Sequence, residues 1–296
     1  MTVQTPLNYT GNKAKLWPQI KPWLPPHIDG TFFDVFTGSG LMCANVSANS
    51  FLANDALAPL VNILQAFQKL PPDEFVSKVE TVVAKYGLTK DNKEGYYKHR
   101  SENLNVLIDN WDGLYNEQLA IELFTFVSFA FNNMMRFTPQ GHYMQGFGGR
   151  RFNPHTVKKI HSFCNAIQEK TGNFRAMGFL DLPEVPGQND FVYADPPYFI
   201  TQVAYNRFWK EKDDQALFEW LDSLDAPFAM SNVTHNKGKV NEALIDWSKK
   251  HNVIELNANY ANACNAGNTP RFEDTREVLI LNDMALARAS VSHKAA

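Results

Sequence analysis

The sequence predicts an α/β fold whose sheet is interrupted by a mainly helical insertion. Short apolar segments typical of buried strands alternate with helical patterns before Pro71, and they do so again after about Lys159. Between these positions the alternation stops and helical patterns replace it. A third observation is an abrupt strand end at Ala194, in the second α/β part, where open sheets of this class bind ligands.

Composition and charge restrict the class of protein. The 296 residues are 44% hydrophobic with a net charge of −3, which indicates a globular chain that is not basic overall. Three widely spaced cysteines, without metal-ligand spacing, predict reduced thiols, no metal site and a cytoplasmic location. The apolar run from Leu119 to Phe131 is too short to span a bilayer, so we expect a buried helix and no membrane association.

Basic residues are concentrated in one part of the chain. From Leu123 to Gln168 the 46 residues contain no Asp or Glu, but five Arg or Lys residues and three histidines. A locally positive surface on a mildly acidic protein is typical of contact with a phosphate backbone. A chance charge-poor stretch, partly buried helix, is the alternative.

The first elements form a strand, a glycine turn and a helix. Thr31 to Phe36 predicts a buried strand that runs through Thr37-Gly38-Ser39-Gly40 into a helix from about Leu41 to Val46. Glycines let the backbone approach a nucleotide closely, but a full G-x-G-x-x-G is absent, so no dinucleotide is indicated. Before this strand, Tyr9 and Lys13 flank a Gly-Asn turn and either face one ligand or belong to a plain surface turn.

A second strand, Phe51 to Asn54, ends at Asp55, which follows Gly38 by 17 residues. That spacing is typical of an acidic residue that binds the hydroxyl pair of a ribose. Asn54 or Asp55 can also cap the next helix, and the two roles are compatible.

The helical insertion contains a candidate hairpin. Helical patterns near residues 73–86 and 116–135 enclose a polar segment, Lys90 to Arg100. In the stretch from Arg136 to Arg151, Pro139 to Gly141 can turn a hairpin. An arginine-flanked hairpin with aromatic residues suits a DNA groove. We therefore predict a recognition domain at residues 59–159 and a catalytic domain at residues 1–58 and 160–296.

The strand Phe191 to Ala194 ends at Asp195-Pro196-Pro197-Tyr198. Neither proline can donate to a strand ladder, and each pushes the preceding residue into extended geometry. A nucleobase amine is a poor nucleophile because its lone pair is delocalised. The Asp195 carboxylate and the Pro196 carbonyl can both accept hydrogen bonds from such an amine, while Tyr198 stacks on the base. The alternative is a rigid turn with no further role.

Beyond this turn, aromatic and basic residues alternate between Ile200 and Lys212, which suits either a nucleic-acid clamp or a packed loop. We expect the tail beyond Met284 to fray. The remaining predicted elements are a helix capped by Asp213 or Asp214, a strand from Phe228 to Ser231, a helix from about Val240 to Lys250, and strands at Val253 to Leu256 and Glu277 to Leu281.

Nine separated motifs support a resemblance to one family. In order and spacing, the chain resembles the Dam-type, D12-class adenine-N6 DNA methyltransferases from about Leu7 to Asn282, and it looks most similar to the Dam methylases of T4-like phages. The motifs are Tyr9 to Lys13, Asp34 to Gly40, Asn54-Asp55, Asn133 to Arg136, Phe147-Gly148, Asp195 to Tyr198, Tyr205 to Trp209, Ser231 to Val233 and Glu277 to Asn282.

The resemblance implies a Rossmann-like seven-stranded methyltransferase sheet with an inserted, mainly helical recognition domain carrying a β-hairpin. It implies methyl transfer from S-adenosyl-L-methionine, which becomes S-adenosyl-L-homocysteine, to N6 of a flipped adenine in double-stranded DNA, at GATC or a related site, with no obligate protein partner. By position it assigns donor binding to Tyr9, Lys13, Asp34, Phe36, Gly38, Gly40, Asp55 and Asp195, the catalytic adenine site to Asp195, Pro196, Pro197 and Tyr198, and DNA binding to Phe131, Asn132, Met134, Arg136, Arg150 and Arg151.

The hairpin departs from the family pattern at three positions, which leaves the target sequence open. Thr138 replaces a usual Asn, Gly146 replaces a usual Pro, and Met144 replaces a small polar residue. Alternatives to the main interpretation are a cytosine-N4 or RNA amine methyltransferase, and a non-catalytic DNA-binding relative. An oxidoreductase on the same sheet is disfavoured by the missing dinucleotide pattern.

Overall fold

The computed structural model describes residues 2–7, 13–201, 209–257 and 275–294, with side chains described up to residue 289. The described strands form one sheet in the order β3-β2-β1-β4-β5-β8-β7, and β6 pairs with β5. Their bounds are Ile28–Asp34 (β1), Ala48–Asn54 (β2), Thr171–Arg175 (β3), Phe191–Ala194 (β4), Phe228–Asn236 (β5), Lys239–Val240 (β6), Asn252–Leu256 (β7) and Arg276–Leu281 (β8).

Parallel pairing at the centre of the sheet confirms the predicted fold class. Strand β1 is parallel to β4, and β4 is parallel to β5, with Asp34 opposite Tyr193 and Ala194 opposite Met230. Strand β8 is antiparallel to both β5 and β7. Without the two-residue β6, the described part of the chain has the seven strands that the resemblance implied.

The helices fall in two compact units. Unit 1 comprises Met1–Asn12, Thr37–Val46 and Phe51–Phe179, and unit 2 comprises Lys13–Phe36, Ser47–Ser50 and Leu180–Ala296, in both cases for the described residues. Within these residues, no helix combines the length and the apolar character that a membrane crossing needs. The helix bounds are Trp17–Ile20 (α1), Leu41–Asn45 (α2), Ala58–Lys69 (α3), Pro72–Tyr86 (α4), Lys93–His99 (α5), Asn105–Asp109 (α6), Glu117–Phe129 (α7), Pro154–Gln168 (α8), Glu211–Ser223 (α9), Glu242–Ser248 (α10) and Asp283–Lys294 (α11).

The core of unit 1 is built on aromatic residues of α3, α4, α7 and α8. The fully buried ring of Phe67 lies 4.6 Å from Phe75, 5.4 Å from Phe124 and 5.6 Å from Phe163, measured between centroids. Every residue from Leu119 to Phe129 is buried, which confirms the predicted buried helix. Aromatic rings in such edge-on and tilted arrangements contribute beyond the area that they bury.

Four segments differ from their sequence predictions. The polar segment at Lys90 to Arg100 forms α5, because the Asn92 side chain accepts from Gly95 N at 2.9 Å and caps the helix. The helix predicted to residue 135 ends at Phe129. The tail that we expected to fray forms α11, with Ala285 and Ala289 buried. Strand β3 had no clear sequence pattern because its buried residue stands among polar ones.

We expect Phe67→Ala to lower the free energy of unfolding by about 3–5 kcal/mol, because the lost ring leaves a cavity among buried neighbours. Urea denaturation measures the change. Val106→Ala is the control, since Val106 is 48% exposed and truncation there changes stability by only about 0.5 kcal/mol or less. A loss for Phe67→Ala as small as that of the control would contradict the assignment of Phe67 to the core.

Candidate active site

Four side chains of unit 2 form a connected polar group, named here the Asp195 cluster: Lys13, Asp195, Tyr198 and Glu277. The Lys13 ammonium lies 2.7 Å from Asp195 Oδ2 and 3.5 Å from Glu277 Oε1. The Tyr198 hydroxyl donates to Asp195 Oδ1 at 2.8 Å and lies 3.0 Å from Glu277 Oε1. The contacts therefore run in a closed circuit through all four side chains.

Asp195 is the most accessible charged group of this cluster. Its side chain is 18% exposed, whereas the side chains of Lys13 and Glu277 are 5% and 1% exposed. The Lys13 ammonium also lies 5.1 Å from the centroid of the Tyr198 ring, within the range of a cation–π contact. The cluster thus presents one carboxylate towards solvent and keeps its lysine and second carboxylate inside.

Burial and charge set the protonation states in the cluster. Burial raises the pKa of Asp195, although the neighbouring Lys13 opposes the shift. Burial alone would lower the pKa of Lys13, but the charges of Asp195 and Glu277 outweigh it and raise that pKa. Burial also places the pKa of the Tyr198 hydroxyl well above its ordinary value. Near neutral pH, Lys13 is therefore an ammonium and Tyr198 a neutral donor.

The turn from Asp195 to Tyr198 is held in place by the end of β4. Tyr193 and Ser231 hydroxyls lie 2.7 Å apart and join β4 to β5 just before Asp195. Pro196 is buried and Pro197 half-buried.

Two further predicted residues lie at the end of β1. Phe36, which follows β1, makes an edge-on contact with the ring of Trp209, with centroids 5.5 Å apart. Asp34, at the end of β1, is buried.

A second group of predicted residues comes together in unit 1, at the glycine turn. Gly38 and Gly40 have φ values of 49° and 74°, in the left-handed region that favours glycine. Gly38 N donates to Asp55 Oδ2 at 3.0 Å, and Leu57 N donates to Asp55 Oδ1 at 2.9 Å. Burial raises the pKa of Asp55 although these backbone donors oppose it. The predicted helix cap is not formed, because the N-cap of α3 is Leu57 and Asp55 binds only the Leu57 amide in the turn before the helix. Each oxygen of Asp55 keeps a lone pair, so this carboxylate can still accept from a ribose hydroxyl.

The predicted hairpin is present in unit 1. Phe137 pairs with Tyr143 in antiparallel fashion, and Met144 N donates to Arg136 O at 2.9 Å. Gly148 packs against the chain before the hairpin, where a Cβ would lie 2.5 Å from Ala130 O. Of the residues expected to contact DNA, Arg136, Arg150 and Arg151 are exposed, Phe131 is 57% exposed, and Asn132 and Met134 are half-buried.

The start of the hairpin follows directly from the end of α7. Asn132 and Asn133 have φ values of 55° and 50°, a region that asparagine adopts more readily than most residues. The Asn133 side-chain amide donates to Val127 O at 3.1 Å and to Ser128 O at 2.9 Å, and so satisfies carbonyls at the helix end. These asparagines therefore stop the helix and redirect the chain, which a hydrophobic pattern does not predict.

Arg100 and Gln145 anchor the hairpin, and the sequence analysis missed both. Arg100 Nη1 donates to Met144 O at 3.1 Å and to Gln145 O at 2.8 Å, and its guanidinium lies 5.0 Å from the centroid of the Tyr97 ring. The Gln145 side chain is buried and donates to Phe131 O at 2.8 Å. Because these partners are 14 to 45 residues apart, no local pattern indicates them.

The structure therefore brings together Lys13, Asp195 and Tyr198 in one group and Gly38 with Asp55 in another. Tyr9 and the aromatic-basic segment Tyr205 to Phe208 lie outside the described residues. Glu277 joins the first group although the sequence analysis gave it no role. Its signal was a charged residue at the start of an otherwise apolar strand.

Comparisons with known proteins give a consistent family. A family model described as D12 class N6 adenine-specific DNA methyltransferase matches residues 9–262. The chain is 36% identical over 294 residues to the type II methyltransferase M.FokI of Planomicrobium okeanokoites and 32% identical over 298 residues to the modification methylase StsI of Streptococcus sanguinis. Both alignments cover 95% of this chain and 43% of the relative, so the chain spans less than half the length of these two proteins.

A further relative comes from a phage. The chain is 24% identical over 196 residues to a DNA N-6-adenine-methyltransferase of Escherichia phage P1, and the alignment covers 64% of this chain and 23% of that protein.

Arg100→Met should loosen the hairpin, because it keeps the side-chain stem but removes the donors to Met144 O and Gln145 O. We expect faster hydrogen–deuterium exchange at the Met144 and Phe131 amides and a loss of about 1–3 kcal/mol in unfolding free energy. Lys98→Met is the matched control, since Lys98 is exposed on α5. Equal exchange in both variants would show that Arg100 does not hold the hairpin.

Proposed function

The chain belongs to the D12 class N6 adenine-specific DNA methyltransferase family, and from this premise we propose that it transfers a methyl group from S-adenosyl-L-methionine to N6 of adenine in double-stranded DNA. The observation that carries this proposal is the Asp195 cluster, in which a rigid turn at the end of a central parallel strand presents one accessible carboxylate. The alternative of a bare structural turn does not account for a buried lysine and a buried second carboxylate at this turn.

Asp195 is suited to hold the amine that receives the methyl group. Each of its oxygens already accepts from one protein donor, and a carboxylate oxygen can accept two hydrogen bonds. One lone pair on each oxygen is thus available to the N6 amine, and the Pro196 carbonyl is a second candidate acceptor. An amine held in this way is oriented for in-line attack on the methyl carbon, opposite the sulfur. This orientation supplies part of the acceleration of methyl transfer.

Tyr198 contributes as a neutral side chain with a fixed hydroxyl. The bonds to Asp195 and Glu277 fix the orientation of its ring, which is the property that a stacking surface for a base needs. N6 is out of reach inside a duplex, so we propose that the adenine is flipped out. Stacking on Tyr198 would offset part of the unstacking cost of a few kcal/mol, roughly.

The glycine turn with Asp55 fits the methyl donor. When bound, S-adenosyl-L-methionine supplies an electrophilic methyl group on a positively charged sulfur. Asp55 would accept hydrogen bonds from the ribose hydroxyls of the donor. Gly38 and Gly40 would shape the turn beside the donor through their positive φ values, and a Cβ at Gly40 would lie 2.9 Å from the Phe163 ring. The family resemblance also assigns donor binding to Lys13, Asp34, Phe36 and Asp195 of unit 2, and to Tyr9, which lies outside the described residues.

The hairpin and the basic stretch around it are the proposed DNA contact, within a recognition domain at residues 59–159. Exposed Arg136, Arg150 and Arg151 supply positive charge, and Phe131 and Met144 expose apolar surface beside it, 57% and 49% of each residue. The proposed target is GATC or a related short site, as in the Dam-type enzymes. The name of the modification methylase StsI supports a role in modification, and we propose that this chain acts in the cytoplasm of a bacterial or phage-infected cell.

Asp195→Ala should reduce adenine methylation to background while DNA binding survives, because the variant removes the acceptor for N6 and leaves the recognition hairpin unchanged. Mass spectrometry of nucleosides from treated DNA and RNA measures the product, and fluorescence anisotropy measures DNA binding. Asp225→Ala, an exposed aspartate ahead of β5, is the control. Near-normal turnover in Asp195→Ala, or methyl groups on cytosine N4 or on RNA, would refute the proposal.

Arg136→Ala should reduce discrimination between the target site and sites with one altered base. A bidentate arginine–guanine contact is worth about 1–3 kcal/mol. We therefore expect the ratio of kcat/KM on the target site to kcat/KM on an altered site to fall by the factor that corresponds to this free energy. Methylation-sensitive sequencing first identifies the target site. Lys158→Ala, on exposed α8 surface, should instead weaken binding evenly. An even loss on all DNA sequences for Arg136→Ala would make it a phosphate contact.

A further inference from the structure

The charges of the Asp195 cluster do not cancel. Lys13 carries one positive charge, while Asp195 and Glu277 each carry a negative charge when ionised. Lys13 lies 2.7 Å from Asp195 Oδ2. If Glu277 were absent, the Asp195 carboxylate and the Lys13 ammonium would form a pair with no net charge. The second carboxylate restores a net negative charge to the group.

The side chain of Glu277 is buried more deeply than the other charged side chains of the cluster. It stands on β8 opposite Val233 of β5, in the interior of the sheet, and its side chain is 1% exposed. Desolvating a carboxylate is costly unless a charge or hydrogen-bond donor compensates. For Glu277 Oε1 the compensating charge is the Lys13 ammonium at 3.5 Å, and the Tyr198 hydroxyl oxygen lies 3.0 Å from the same atom. The Glu277 carboxylate therefore interacts with the cluster through its ion pair with Lys13 and its contact with Tyr198.

We propose that Glu277 is a positioning residue, which acts as the counter-ion of Lys13 and thereby leaves the negative charge of Asp195 available to the amine that accepts the methyl group. The proposal rests on the function proposed above and extends it by a residue to which that function assigned no role.

The chemistry of the transfer explains why this charge matters. As the bond from nitrogen to the methyl carbon forms and the bond from that carbon to sulfur breaks, positive charge moves from sulfur to the amine nitrogen. It stays there until the nitrogen loses a proton. A carboxylate that is fixed before the reaction stabilises this charge without reorganising. An Asp195 fully neutralised by Lys13 would do so less well, and Glu277 prevents that neutralisation.

Unit 1 contains a matched buried glutamate outside the cluster. Glu122 on α7 is 2% exposed, accepts from the Tyr86 hydroxyl at 3.0 Å and lies 3.6 Å from Lys85 Nζ. Its tyrosine and lysine partners correspond in type and distance to those of Glu277. Glu122→Gln therefore imposes the same chemical change on a carboxylate to which we assign only a structural role.

The test is a double-mutant cycle in the full chain with Glu277→Gln, Lys13→Met and the double variant, together with Glu122→Gln. For Glu277→Gln we expect kcat to fall by about tenfold or more, with KM for DNA changed by less than about threefold. The double variant, assayed at saturating S-adenosyl-L-methionine since Lys13 also belongs to the proposed donor-binding set, should regain part of this loss, because the Lys13 ammonium no longer faces Asp195. Glu122→Gln should keep the wild-type kcat even where thermal unfolding shows a loss of stability.

Three results would overturn the proposal. They are a kcat of Glu277→Gln within about twofold of wild type, a double variant no faster than Glu277→Gln, or an equal fall in kcat for Glu122→Gln. Where Glu277→Gln fails to fold, the cycle is evaluated on the Lys13→Met background, in which adding Glu277→Gln should change kcat by less than about twofold. A wild-type chain that methylates no DNA refutes the proposed function itself, which is a separate outcome.

Discussion

The ion pair between Lys13 and Asp195 is the interaction on which the candidate site depends. It joins a residue before the first strand to the turn after β4, and Glu277 adds a third segment from β8. Lys13 and Glu277 are not stable alone at their depth, because an unpaired buried charge costs on the order of several kcal/mol, whereas Asp195 keeps partial access to solvent. The three segments therefore have to be folded together before Asp195 acquires its environment, which makes the site a product of tertiary contacts within unit 2.

A comparable constraint governs the hairpin in unit 1. Its turn at Pro139 and Gln140 is exposed, but Tyr143 on its second arm is buried. Hydrogen bonds from Arg100 and Gln145 and the close approach of Gly148 to Ala130 fix it together with this buried ring. Under the proposed function, directional bonds of this kind would hold Arg136 in a defined register, which recognition of base edges requires. The departures at Thr138, Met144 and Gly146 lie in the same hairpin, so they would bear on the proposed target sequence rather than on the chemistry.

Family membership and site geometry support the same function from independent directions. The family model matches most of the chain, while the Asp195 cluster is an arrangement of charges that the comparisons do not describe. The geometry adds detail to the resemblance. Tyr198, expected only to stack on a base, also donates to Asp195, and its hydroxyl oxygen lies 3.0 Å from Glu277 Oε1. Asp55, for which a ribose contact and a helix cap were both open, does not cap α3, because it binds the amide of Leu57 ahead of the first helical residue, but it has lone pairs left for a ligand.

The sequence by itself determined the α/β class, the glycine turn, the hairpin and the position of Asp195 after a strand. These features depend on local rules of proline, glycine and hydrophobic pattern, which act over a few residues. Only the tertiary structure decided that Glu277 reaches Lys13, that Arg100 holds Gln145, and that α7 stops at Phe129. It also formed β3 and α11, whose local patterns are weak. The physical reason is the same for the side-chain contacts. Buried charges and backbone carbonyls without a partner in their own element pair with groups that are distant in sequence, so a local sequence pattern does not predict the pairing.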